Sequence, residues 1–376
     1  MAGLPDPLLT DPSLVPVWEK VRRGERLGMD DGLVMLNTPD VAGLGAMADR
    51  VAREKNGDRV FFTFNRQLNP TNICVYDCKF CDFAFKKGDP RGYEMTIAEA
   101  VGTLSDDLAE VHIVAGLHPD WPWEYYTGLL AGIRKRFPRM TIKAWTAVEI
   151  EFFAKMFRKT HRQVLEELVA AGLDALPGGG AEVFSERVHR LLFPQKIGYP
   201  EWRAIHMLAH SMGIRSNVTL LYGHIESFEE RVDHMLKVRD MQDESKGFHA
   251  FIPLRFQPGT TGITPLVNTA VDDLRTVAAS RLLIDNVPHI KAYWVMLGEE
   301  TAAVALNFGA SDLDGTIGEE KIAHAALAAS PVGLARDRMV KLIREAGKVP
   351  VERDARYTVL KVHEPVLAGT GAAGRG

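Results

Sequence analysis

The sequence predicts an α/β fold built on a parallel sheet, and three observations carry that prediction. Six short β-branched or apolar runs are each followed by an amphipathic segment, the succession that right-handed crossovers between parallel strands produce. The runs are apolar almost throughout, as in a sheet covered on both faces, which means a barrel or a doubly wound fold. Several amphipathic segments also carry helix start and stop signals.

Residues 1–55 read as a helical N-terminal extension, and "RVFFTFN" (59–65) as the first strand. "TIAEAVGTLSDDLA" follows as a helix with Thr96 and Glu99 spaced as a capping box. "VHIVAG" (111–116) is a buried strand, and the helix in "WEYYTGLLAGIRKRFP" would be capped by Asp120. "MTIKAWTAVEI" (140–150) reads as strand along its whole length. "THRQVLEELVAAG" is a helix opened by Thr160 with Gln163 and stopped at Gly172. "LDALPGG" is the next strand with its glycine turn, and Pro200 and Gly213 bracket the helix of "PEWRAIHMLAHSMG". "RSNVTLLYGH" (215–224) is a strand, followed by a helix whose cap pair is Ser227 and Glu230. "FHAFIPLRF" (248–256) and "AVDDLRTVAASRLLIDN" form the sixth strand and its helix. "KAYWVMLG" and "AAVALNFGASDLDG" add a closing segment. The expectation is one catalytic domain over 56–315, with 316–376 a helical extension ending in a disordered "GTGAAGRG" tail.

Composition narrows the function. The 376 residues are 46% hydrophobic and 25% charged, with a net charge of −4, ordinary for a globular protein. The scattered Lys and Arg form no nucleic-acid footprint. No apolar run approaches the roughly 20 residues that span a bilayer. "MAGLPDPLLTDPSLVPVWEK" lacks the layout of a signal peptide, so a cytoplasmic protein without nucleic-acid or membrane partners is expected.

All three cysteines fall within "CVYDCKFC" (74–81), just after the first strand and within a loop. In a parallel barrel, the loops that follow the strands form the chemical face. Three thiolates gathered this tightly suit iron–sulfur or zinc ligation. Zinc in a structural site wants a fourth ligand from elsewhere, whereas a four-iron cluster held by three cysteines leaves one iron open. Asp77 and Lys79 intervene between the cysteines, which argues against a buried core strand or helix. A simple electron-transfer protein would need a fourth cysteine ligand.

Cys74, Cys78 and Cys81 in the pattern C-x3-C-x-F-C closely resemble the signature of the radical S-adenosylmethionine superfamily, and the strand–helix succession is similar to that superfamily's partial (β/α)6 TIM-like barrel. The resemblance implies that the three cysteines ligate three irons of a [4Fe-4S] cluster. S-adenosylmethionine would chelate the fourth iron, and Phe80 would pack near its adenine. A reduced cluster then yields methionine and a 5′-deoxyadenosyl radical, which requires an electron donor such as a flavodoxin or ferredoxin. "FNRQLNPTNICVYDCKFCDFAF", "VHIVAGLHPD", "IKAWTAVEI", "LPGGGAEVF", "LYGHIE" and "FIPLRFQP" follow in an order similar to the menaquinone (futalosine-pathway) and deazaflavin branch. Within it, "NPTNICVYDCKFC" with "GLHPD" and "YGHIE" is most similar to the aminofutalosine-forming members. Their implied reaction adds the radical to the vinyl group of the small-molecule substrate 3-[(1-carboxyvinyl)oxy]benzoate, consuming S-adenosylmethionine. Bicarbonate and 6-amino-6-deoxyfutalosine leave. The sibling alternatives are cyclic dehypoxanthine futalosine synthase and the deazaflavin-forming enzyme.

Further site candidates lie at strand ends. His118 and His224 are candidates for carboxylate or proton handling, and Glu149 closes the catalytic set at the end of the "AWTAVEI" run. Gly116 would let backbone approach the methionine moiety closely, although Ala115 stands where the superfamily pattern often has another glycine. Glu182, in the glycine-rich turn of "PGGGAEVF", is the candidate for the ribose hydroxyls. Arg255, near the end of the sixth strand, is the candidate for a substrate carboxylate. Asn69 and Arg66 would contact substrate or brace the cysteine loop, and bracing is the preferred reading. Ser216 and Asn217 begin the fifth strand and are expected at the opposite rim.

Overall fold

The computed structural model describes residues 6–266 and 269–364, so the expected C-terminal tail lies outside the described residues. Among the described residues there are eleven strands: β1 (Arg59–Thr63), β2 (Asn65–Leu68), β3 (Glu110–Ile113), β4 (Thr141–Ala144), β5 (Ala175–Leu176), β6 (Arg215–Tyr222), β7 (Phe248–Arg255), β8 (His289–Ile290), β9 (Asp312–Gly315), β10 (Val349–Arg353) and β11 (Val359–Val362). Strands β2 to β8 form one parallel sheet in chain order, with a helix after each of β3 to β7. This is the expected core of strand–helix units.

Two features extend it. The segment expected to be the first strand is two, β1 and β2, with Phe64 between them. In addition, β9 spans the gap between the ends of the curled sheet. On one side the Ala292 N–H donates to Asp312 O (2.8 Å) and the Ser311 N–H to Ile290 O (2.9 Å). On the other, the Phe61 N–H donates to Ser311 O and the Gln67 N–H to Ile317 O. Those bonds lead the strand order round to its start, so backbone groups at both sheet edges find partners. A second sheet, in the order β11-β10-β1-β9, lies below, its β10 parallel to β1. The expected helical extension after residue 315 therefore also supplies β10 and β11, besides the helix Arg336–Glu345.

Local signals work as expected at three helices: Thr96 with Glu99, Thr160 with Gln163, and Ser227 with Glu230 all form capping boxes. Two expectations are corrected. The helix Trp123–Arg136 is capped by Pro122, while Asp120 pairs with Lys87 instead. The run 140–150 is not one strand: β4 stops at Ala144 and the helix Ala147–Phe157 begins, with Trp145 at φ 62° turning the chain. Thr146 and Glu149 form a fourth capping box there. Tertiary packing overrides the apolar pattern, since that helix is also buried over most of its first two turns.

The N-terminal helices Leu14–Arg22, Met29–Asn37 and Val41–Asn56 pack outside the barrel, the second and third against the helices Phe228–Ser245 and Ala270–Leu283. Gly32 permits this approach, because a Cβ there would sit 2.6 Å from the Val232 side chain. Among the described residues, no helix is long and apolar enough to cross a membrane.

Candidate active site

The strands converge on a cavity of about 310 Å³ whose mouth is the cysteine loop. Cys74, Cys78 and Cys81 all line it, partly buried and unpaired with one another by disulfides. The loop is shaped by backbone hydrogen bonds: the Cys74 N–H donates to Phe85 O (2.9 Å), the Val75 N–H to Leu117 O (3.0 Å) and the Lys79 N–H to Leu192 O (2.8 Å). Lys86 gathers it from one side, its Nζ donating to the carbonyls of Cys74, Val75 and Tyr76 at 3.3, 3.0 and 2.9 Å. Burial pushes the Cys78 thiol up to about 11 and raises that of Cys81.

Gly116 lines the cavity beside the loop. A Cβ on it would lie 2.3 Å from the Ile73 carbonyl oxygen, so only glycine lets this strand end reach the loop so closely. Phe80 lines the wall and packs edge-on to Phe193, with the Lys196 ammonium 5.1 Å from its ring. Lys196 donates to Glu182 Oε1 at 2.6 Å, and both side chains line the cavity. Burial opposes the Lys196 charge, but Glu182 and the Cys78 sulfur hold its pKa above the ordinary value.

Glu149 lines the cavity too, not from a strand end but from the first turn of the helix after β4. Its carboxylate accepts from the Thr146 N–H (2.6 Å) and the Ala115 N–H (3.0 Å), tying that helix to the end of β3. Burial lifts its pKa to about 7 despite these bonds.

The other candidates stand away from this wall. His118 is buried in a turn, where Nδ1 accepts the N–H groups of Asp120 and Trp121 and Nε2 faces Glu94 at 2.7 Å. Its ring also stacks on Trp121. His224 is fully buried, donating from Nε2 to Leu221 O at 3.0 Å and accepting the Ile225 N–H at Nδ1. Arg255 points to Asp273 (3.3 Å). Asn69 donates to Val114 O and braces two strand ends, while Arg66 pairs with Glu319 at the surface. None of these five lines the cavity.

Sequence reasoning missed the cavity's deeper wall. Gln67, His112 and Lys143 line it from β2, β3 and β4, and Asn217 and Thr219 from β6. Asn217 thus faces inward, contrary to the rim placement expected for it. A usable signal was present, because polar residues at every second position of β3 (Glu110, His112) face inward when the sheet closes around a cavity.

Residues 68–238 match the model of the radical SAM superfamily, and residues 245–366 that of the CofH/MqnC C-terminal region. An aminodeoxyfutalosine synthase from Thermus thermophilus is 43% identical over 369 residues, covering 96% of this chain and 99% of that protein. The chain belongs to the aminodeoxyfutalosine synthase family of radical SAM enzymes. A cyclic dehypoxanthine futalosine synthase from Halalkalibacterium halodurans is more distant, at 34% identity over 94% of this chain and 96% of its own length. Methylornithine synthase, at 17% identity, superposes with a TM-score of 0.70 over 89% of this chain and 97% of its own, which supports the barrel fold.

The cavity suits what the superfamily implies. Among the described residues no three His, Cys, Asp or Glu side chains are grouped to hold a single metal ion. A four-iron cluster makes no such demand, since each thiolate takes a separate iron. Soft sulfur donors on one loop, cradled by glycine and braced by Lys86, are a donor set fit for it.

Proposed function

We propose that this chain joins the 5′-deoxyadenosyl group of S-adenosylmethionine to 3-[(1-carboxyvinyl)oxy]benzoate and, with one water taken up by the departing carboxyl carbon, gives 6-amino-6-deoxyfutalosine, bicarbonate, methionine and a proton. The observation that carries the reading is the opening of all three cysteines onto one deep cavity, in a chain collinear with an aminodeoxyfutalosine synthase over nearly its whole length. In this reading Cys74, Cys78 and Cys81 would hold the [4Fe-4S] cluster and leave it open to S-adenosylmethionine. The bound cluster and S-adenosylmethionine supply the one-electron chemistry, drawing on a donor such as a flavodoxin or ferredoxin.

The protein's own residues do the rest. Phe80 offers a flat apolar face to the adenine, and Glu182 a carboxylate oxygen beyond the one that Lys196 occupies for the ribose. Gly116 sets the distance between the end of β3 and the cysteine loop. Glu149, with a pKa near 7, is the cavity group suited to holding or releasing a proton as the carboxyl carbon departs. The apolar walls of Val114, Leu221, Leu254 and Phe256 keep water from a radical adduct.

The test is anaerobic incubation of the cluster-loaded protein with S-adenosylmethionine, a reductant and the enol ether, read by mass spectrometry. The adenosyl adduct with methionine is expected. Methionine with 5′-deoxyadenosine and no adduct would refute the substrate.

A further inference from the structure

The cavity has two unlike ends. At its mouth are the cysteine loop, Gly116 and the Lys196–Glu182 pair; at its floor, polar side chains emerge from the strands themselves. The register makes the floor a single layer. Gln67 pairs with His112, and His112 with Lys143, across β2, β3 and β4. From the facing wall Asn217 and Thr219 on β6 look into the same space. Gly116 lies four positions beyond His112, past the end of β3 at Ile113, so the floor lies at most about 13 Å below the mouth at ordinary strand rise.

The floor has polar atoms without partners. Both ring nitrogens of His112 are cut off from solvent, and neither makes a hydrogen bond within the protein. The Gln67 Oε1 is in the same condition, although its Nε2 donates to the Tyr293 hydroxyl at 3.1 Å. Each such atom costs on the order of 1–3 kcal/mol when left unpaired. Three in one layer of a cavity wall are the mark of a site whose partner arrives with the ligand.

Charge identifies that partner. Below the layer three acids meet three bases: Glu110 with Lys143 (2.6 Å), Asp314 with Lys291 (2.7 Å) and Asp312 with Arg353 (2.7 Å). Glu110 and Asp312 hold their cations from beneath, while Lys143 and Asp314 both reach the cavity, Asp314 with its charge already met by Lys291. Burial, followed by the neighbouring Lys143, drops the His112 pKa to about 3, so its ring enters the site neutral with one N–H to donate. A neutral imidazole N–H, an ammonium already anchored and a carboxamide suit a carboxylate.

We propose that this floor, with His112 and Lys143 at its centre and Asn217 opposite, binds the carboxylate on the aromatic ring of the substrate. The assignment rests on the substrate reading above. It goes to the ring carboxylate because the other carboxylate is carried by the enol ether carbon next to the reacting vinyl terminus. That carboxylate must sit at the cysteine end, and its carbon is the one that leaves. The ring carboxylate is the remote end of the molecule, and clamping it turns the vinyl group toward the mouth. The floor therefore selects meta-substituted benzoates over uncharged phenyl ethers.

The test compares the benzoate substrate with the same enol ether lacking the ring carboxylate, on cluster-loaded protein. Wild type should lose about 10- to 100-fold in kcat/KM on the shortened compound, the worth of hydrogen bonds to a charged group. His112→Phe should lose a similar factor on the true substrate, mainly in KM, and little on the shortened one. Should His112→Phe fail to fold, Asn217→Ser is read the same way. Equal losses on both compounds, or an undiminished preference in the variant, would overturn the proposal while adduct formation upholds the reaction. No adduct from either compound in wild type would remove the substrate reading and the floor assignment with it.

Discussion

Replacing Gly116 by Ala isolates the fit between barrel and cysteine loop. The added Cβ would stand 2.3 Å from Ile73 O and 2.7 Å from Ile73 C, whereas ordinary contact begins near 3.4 Å. About 1 Å must be found, and the neighbour is backbone, so no side chain can swing aside. Gly116 also donates its N–H to Thr71 O at 3.0 Å, on the same approach to the loop, so the shift loosens that bond as well. Overpacking of this kind costs about 1–3 kcal/mol. Catalysis should suffer more than stability, because a displacement of about 1 Å in reacting geometry costs roughly 100-fold in rate. Thermal unfolding of the metal-free protein would read the first effect. Iron content, cluster absorbance and the rate of S-adenosylmethionine cleavage would read the second. Cleavage at the wild-type rate in Gly116→Ala would refute the claim that this glycine sets the position of the loop.

Two further outcomes follow from buried charge. The Glu149 carboxyl titrates near 7 in the fold against about 4.5 in the unfolded chain, so its contribution is complete below pH 4.5 and is lost as pH rises through 7. The loss approaches about 3 kcal/mol, and Glu149→Gln should flatten the fall in stability between pH 5 and 7.5 measured by urea unfolding. An unchanged slope in that variant would assign the titration to another group. Arg353→Met leaves Asp312 buried without its 2.7 Å partner and should destabilise by about 3–5 kcal/mol. Adding Asp312→Asn should recover part of that loss in the same unfolding assay, and a double variant no more stable than the single would speak against the pairing.

Most of what is local was legible in the sequence. Cysteine spacing, the three expected capping boxes and the glycine that stops the helix His161–Ala171 act over a few residues, and each stands where the chain pattern places it. The Thr146–Glu149 box obeys the same rule but lies inside an apolar run, where strand periodicity hid it. What resisted reading is non-local. Nothing near residue 350 announces that Val349–Arg353 pairs with Arg59–Thr63. The roles of His118 and His224 depended on which way a turn faces: both satisfy nearby backbone groups and so act as turn anchors. Polar residues within β3 and β4 sit in runs that read as buried strands, and only the closing of the sheet shows that they face a shared cavity.

The order in which the barrel's parts emerge from the ribosome has its own consequence. Cys74, Cys78 and Cys81 lie in the first quarter of the chain, whereas Arg353, which neutralises the acids beneath the cavity, comes near its end. At ordinary synthesis rates the two are separated by roughly 15–50 seconds. During that interval the thiol loop exists without a completed floor, and strand β1 without its β10 neighbour. A nascent chain is therefore open to iron and to air before it can enclose a radical, and its yield in cells depends on how well that exposed interval is protected.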